Sequence, residues 1–160
     1  MNIYLIRHGE AEQTSEGKPH EERALTANGI EIINLSIDLW KKYVDNFDII
    51  LSSPLKRAKQ TAQILTKVFK SEFNVTEEIC LLNGDITEDL LSIARSLDLN
   101  DIAMVGHQPD LGIHIVRMIG SSDANFNIPP AAIAKIYFKE RPAVGKGVLE
   151  ILLPPINKKG

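Results

Sequence analysis

Four side chains in this 160-residue chain are suited to chemistry on an anionic group: Arg7, His8, Arg57 and His107. An imidazole can serve as nucleophile, acid or base near neutral pH. A guanidinium fork donates two aligned hydrogen bonds to a carboxylate or phosphate. Arg7 and His8 open the run Arg7-His8-Gly9-Glu10. Arg57 ends Ser52-Ser53-Pro54-Leu55-Lys56-Arg57, and His107 lies in Gly106-His107-Gln108-Pro109. The two histidines stand 99 residues apart, so only the fold can bring them together.

The elements that must do so follow from periodicity. Short apolar runs at residues 3–6, 48–51, 74–81, 102–105, 134–138 and 148–152 predict strands. The first, second and fourth are almost wholly apolar, as expected of strands covered on both faces. Between them lie helical patterns. Thr26 is a natural N-cap for Ile30, Ile33, Leu35, Ile37 and Trp40. Pro54 stands where Ala58, Ala62, Leu65 and Phe69 begin a second helix. Thr87 is expected to cap a third, and Pro109 to open a fourth that stops at Gly120. The alternation predicts an α/β fold, a three-layer α/β/α sandwich with a mostly parallel sheet and one antiparallel edge strand. Such sheets gather ligands beyond the carboxyl ends of their strands, which is where both histidines and both arginines fall.

Bulk properties narrow the function classes. The length suits one domain, drawn at residues 1–153 with a solvated tail at 154–160. A net charge of −3 gives no broad basic surface, so nucleic acid is not an expected partner. No apolar run approaches the ~20 residues of a membrane span, and a cytoplasmic location is expected. The one cysteine, Cys80, excludes an internal disulfide and is read as packing among Ile79, Leu81 and Leu82. No cofactor and no metal are expected, since His20 and His114 have no partner at ligand spacing. His114 is placed near the surface, and His20 in a polar loop, residues 12–23, whose charges are left between lining the mouth of the site and simple solvation.

The motifs resemble those of the histidine phosphatase superfamily. Arg7-His8-Gly9-Glu10 is similar to its opening signature, residues 53–61 to its second, and Gly106-His107 to its third. Arg23-Ala24-Leu25-Thr26-Ala27-Asn28-Gly29 resembles a Leu-Thr-x-x-Gly element between them. The short length, Asn83-Gly84-Asp85 and the 131–134 segment look most like the SixA-type phosphohistidine phosphatases.

The resemblance implies that His8 attacks phosphorus, with its other ring nitrogen held by a nearby backbone carbonyl. Arg7 and Arg57 would clamp the phosphoryl oxygens, Gly9 would let the backbone approach them, and His107 would stabilise the transferring group as a cation or strong donor. Arg23 is left between a phosphate contact and a surface charge. Ser52, Ser53 and Thr61 are left between turn roles and substrate contacts. Many members carry a glutamate that protonates the leaving oxygen, whereas Asn83 stands at that place here, with Asp85 and Glu10 as substitutes. An imidazole leaves with far less help than an alkoxide, because its pKa is about 6.5. The expected substrate is therefore a protein phosphohistidine, on a phosphotransfer or phosphocarrier partner. Short connections leave no large lid over the site. A small-ester phosphatase and a non-catalytic phosphate-binding module are the alternatives.

Overall fold

The central apolar runs build the middle of a six-stranded sheet. The strands are β1 (Asn2–Arg7), β2 (Ile49–Ser52), β3 (Thr76–Glu77), β4 (Asp101–Gly106), β5 (Ile133–Tyr137) and β6 (Val148–Leu153). Their order is β3-β2-β4-β1-β5-β6. The computed structural model describes residues 1–14, 17–69, 71, 75–82, 84 and 86–156. β3, β2, β4 and β1 pair in parallel, and β5 runs antiparallel to both β1 and β6. The terminal pair thus supplies the expected antiparallel strand: it is β5, one place in from the edge.

Alternate side chains of the central strands feed two cores. On one face Tyr4, Ile6, Ile50, Ala103 and Val105 meet α1 (Ala27–Trp40) and α2 (Lys56–Val68) through Ile33, Ile37, Trp40, Ala62 and Leu65. On the other, Ile3, Leu5, Leu51, Ile102 and Met104 meet α3 (Thr87–Leu97) and α4 (Asp110–Ile119) through Leu90, Leu91, Leu111, Ile115 and Met118. Burial of each large side chain stabilises the fold by about 1.5–3 kcal/mol. A one-residue slip would exchange the two sets across the sheet. The register that sets Arg7 opposite Gly106 is therefore held by hydrophobic packing.

Several expectations change in detail. The run at 74–81 is not one strand. Only Thr76–Glu77 pairs with β2, after which the chain turns through a short 3-10 helix, Ile79–Leu81, that buries Leu81. Asn74 lies outside the described residues. Cys80 is half-buried against the α3 side of the core. Thr87 is the first residue inside α3 rather than its cap, and its hydroxyl pairs with His114 Nδ1 at 2.9 Å. That bond places His114 between α3 and α4, 2% exposed, not near the surface. The tail begins docked: the Ile156 N–H donates to the buried Ser36 hydroxyl of α1 at 3.2 Å. Residues 157–160 lie outside the described residues. Among the described residues, no helix is long and apolar enough to cross a membrane.

Thr26 caps α1 as expected, its hydroxyl oxygen accepting from the Gly29 amide at 2.9 Å. It also donates to Glu10 at 2.6 Å, which fixes the start of α1 against the loop after β1. Gly29 is needed there because a Cβ would lie 2.2 Å from the Glu10 carbonyl oxygen. Helix propensity alone would make Gly29→Ala stabilising by roughly 1 kcal/mol. The collision reverses that sign, to a net loss of about 1–3 kcal/mol. Thr26→Ala should cost about 1 kcal/mol. Denaturant unfolding reads both, and a stabilised Gly29→Ala would show that the start of α1 is free to move.

Candidate active site

Three neighbouring parallel strands end together and deliver the polar side chains. The Ser53 amide donates to the Val105 carbonyl at 3.0 Å, and the His8 amide to the Gly106 carbonyl at 3.2 Å. The residues after β2, β4 and β1 therefore emerge side by side. The rings of His8 and His107 are 5.0 Å apart, centre to centre. Arg57, from the first turn of α2, places its Nε 3.3 Å from His8 Nε2. His8, Arg57 and His107 are all buried.

The His8 ring has a defined orientation. Its Nδ1 lies 2.6 Å from the Gly9 carbonyl oxygen, which can only accept, so the proton sits on Nδ1 and the lone pair on Nε2. Thr61 of α2 fixes that turn: its hydroxyl oxygen accepts from the Gly9 amide at 3.2 Å while donating to the Arg57 carbonyl at 2.8 Å. Gly9 also packs closely against α1. A Cβ there would lie 2.4 Å from the tip of Ile33 in α1, so its missing side chain serves packing, and its amide is already used.

His107 is set by Ser53, whose hydroxyl lies 2.8 Å from its Nε2 and also accepts from the Leu55 amide. Ser53 and Thr61 thus orient the two histidines. Arg7 turns its guanidinium to the Ile128 carbonyl at 2.6 Å. The Ala131 amide reaches the carbonyls of both Arg7 and His8 at 3.2 Å, with a positive φ of 61°. Its loop forms the back wall of the site. Arg7 Nε and His107 Nδ1 are buried with no hydrogen-bond partner among the described residues.

Arg23 sits half-buried on the loop between β1 and α1 and donates from Nε to the Glu12 carbonyl. It lies close enough to act on His8 electrostatically. The same loop carries His20, for which no role was expected. Its backbone carbonyl and ring both receive hydrogen bonds from Arg57. The loop therefore covers part of a site expected to be open. Glu10 is engaged elsewhere: its carboxylate accepts from Thr26 and Asn28 at the start of α1, so it is tied as an acceptor rather than poised as an acid. Asn83 and Asp85 lie outside the described residues. Among the described residues, no group of three or more histidine, cysteine or acidic side chains is arranged to hold a metal ion.

Burial holds the His8 imidazole down to about 4; the Gly9 carbonyl opposes this, while Arg57, Arg7 and Arg23 reinforce it. Burial also holds His107 down to about 3, helped by His8, Arg57, His20 and Arg7. Both rings are neutral at pH 7. For His8 this is the form with a lone pair to give. His107 is likewise neutral without a ligand, and a bound anion would favour its protonation.

Comparison with known proteins agrees with this geometry. The profile of the histidine phosphatase superfamily (branch 1) matches residues 3–88. An uncharacterised protein of Picosynechococcus is 32% identical over 114 residues, 70% of this chain and 69% of its own. A phosphohistidine phosphatase SixA homolog of Haemophilus influenzae is 26% identical over 146 residues, 85% of this chain and 87% of its own. Among solved structures, the protein histidine phosphatase SixA complexed with tungstate superposes with a TM-score of 0.79 at 20% identity, covering 96% of this chain and 97% of its own. Phosphoserine phosphatase from Entamoeba histolytica, in complex with 3-phosphoglyceric acid, gives 0.71 at 23% identity over 94% and 95% of the two chains. The chain belongs to the histidine phosphatase superfamily, and SixA-type proteins stand among both its relatives and its structural neighbours.

Two pH effects follow from the depressed histidines. In a proton NMR titration, His8 should titrate near pH 4 and His107 near pH 3, with nitrogen shifts at pH 7 marking the Nδ1–H tautomer of His8. A midpoint for His8 at about 6.5 would contradict the buried, cation-flanked ring. Stability is linked with a definite sign. Unfolded histidines bind protons below about pH 6.5, whereas these two stay neutral until about 4 and 3. The folded state therefore loses stability as pH falls through that window, by on the order of a few kcal/mol. The His8→Asn/His107→Asn double variant should show a flatter fall in denaturant unfolding between pH 7 and 4.

Proposed function

We propose that this protein is a phosphohistidine phosphatase that takes the phosphoryl group of a protein partner onto His8. The observation that carries the reading is the bond from His8 Nδ1 to the Gly9 carbonyl, which leaves Nε2 unprotonated beside the Arg57 guanidinium. His8 Nε2 attacks phosphorus in line, the bond from phosphorus to the partner's imidazole nitrogen breaks, and its electron pair leaves with that nitrogen. The departing imidazole takes up one proton. Water then attacks the phosphorus on His8, releasing orthophosphate and restoring the neutral ring. Arg7 and Arg57 carry the charge of the equatorial oxygens throughout.

The nature of the leaving group supports histidine as the donor. Glu10 is tied to the start of α1. Glu12 accepts from Lys18 and the Ala24 amide, Glu22 pairs with Lys56, and Asp110 accepts from the Gly84 amide. Each of these four carboxylates is an acceptor already in use. An alkyl ester would need an acid to release its alkoxide, whereas an imidazole of pKa about 6.5 departs readily. Exchange of one phosphorus–nitrogen bond for another also keeps the first step near thermoneutral.

The expected result is clearance of phosphate from a phosphorylated histidine phosphotransfer or phosphocarrier domain far faster than from phosphoserine or a sugar phosphate. Alkali quenching should trap acid-labile phosphate on His8. His8→Ala should lower turnover at least ~1000-fold while retaining orthophosphate binding. Faster hydrolysis of the small esters would replace the protein substrate with a small-molecule one, and turnover undiminished in His8→Ala would remove His8 as the nucleophile.

A further inference from the structure

Arg57 has more hydrogen bonds than a simple phosphate clamp requires, and two of them go to one residue. Its Nη1 donates to the His20 carbonyl at 3.1 Å, and its Nη2 lies 2.9 Å from His20 Nε2. A guanidinium can only donate, so that ring nitrogen is the acceptor and the ring's proton sits on Nδ1. The turn that carries His20, His20–Glu22, is short and tied back on itself by the Glu22 amide to the Pro19 carbonyl at 3.0 Å. It is fastened to the start of α2 by Glu22 and Lys56 at 3.6 Å. His20 itself is exposed, whereas Arg57 is 3% exposed.

A guanidinium has two edges able to grip an oxyanion. The end-on edge comprises one N–H from each terminal nitrogen, and the side-on edge comprises Nε–H with the remaining N–H of Nη2. Acceptors from a single residue on both terminal nitrogens occupy the end-on edge. The side-on edge remains, and its Nε already points at His8 Nε2, 3.3 Å away. A phosphoryl group under attack by that nitrogen would be met by the side-on edge.

We infer that His20 is a positioning residue, which holds the end-on edge of Arg57 so that the side-on edge faces the phosphoryl group at the nucleophile. This rests on the reading of His8 and Arg57 as the phosphoryl site, and it gives the loop after β1 a specific task. His20 works through Arg57 and touches no reacting atom. A side chain that accepts a hydrogen bond at the same place, such as glutamine, can do the same work. An arginine with a free end-on edge can rotate, and rotation misaligns the fork.

The test uses the full chain, with orthophosphate binding followed by calorimetry and p-nitrophenyl phosphate turnover followed by absorbance. His20→Ala should weaken orthophosphate binding and lower kcat/KM by roughly 5- to 20-fold with an unchanged melting temperature. His20→Gln should recover most of both losses. In an Arg57→Lys background, where the ammonium has no end-on edge, His20→Ala should change either quantity less than about twofold. Undiminished orthophosphate binding by His20→Ala overturns the inference. So does a His20→Gln variant as impaired as the alanine one, or a full additive loss in the lysine background. The binding arm needs no turnover, so failure of His8 as nucleophile would leave the result for His20 intact.

Discussion

A neutral imidazole has one lone pair to offer, and in this protein the carbonyl of Gly9 decides which nitrogen carries it. The carbonyl can do so only while the turn after β1 keeps its shape. Thr61 holds the turn from α2 by its amide, and Ile33 fills the place of a side chain at Gly9 from α1. Both helices lie on the same face of the sheet, packed on Ile6, Ile50 and Val105. The tautomer of one ring is thus linked to the hydrophobic core by two short chains of contact. The tightness of protein interiors makes such a linkage effective, because core side chains have little room to move.

Charge is arranged to complement that ring. Arg7 and Arg57 have no carboxylate partner among the described residues; they donate to backbone carbonyls and histidine nitrogens instead. Partial burial of unpaired cations is unfavourable without a ligand and favours an incoming anion. The same field, with burial, keeps His8 and His107 unprotonated. The fold thus gives up stability for a site ready for negative charge, as functional sites commonly do.

Much of this was legible in the sequence, and the limits have physical causes. The parallel sheet could be read because strands covered on both faces are nearly all apolar, and the convergence of His8, Arg57 and His107 follows from the topology of such sheets. The cap at Thr26 was readable because capping is local. Expectation and structure part where a role depends on distant partners. Thr87 has the type and position of a cap, but the hydroxyl meets His114 from another helix. No packing role could be read for Gly9, and only the position of Ile33 reveals one. Ser53 and Thr61 lie within a recognisable motif, but their bonds to His107 and Gly9 cross between elements. For His20 only a polar loop could be read, because its partnership with Arg57 depends on the path of that irregular segment.

Behind His8, Ala131 is a non-glycine residue in the left-handed region, and its single amide is shared by the consecutive carbonyls of Arg7 and His8. A glycine would adopt that conformation without steric cost, relieving strain on the order of 1 kcal/mol. It would also widen the range of angles open to the wall of the site. At this position an engineer seeking thermostability and an engineer seeking precision would choose different residues. The methyl group of Ala131 restricts the backbone angles open to the residue that ties down the end of β1 behind His8.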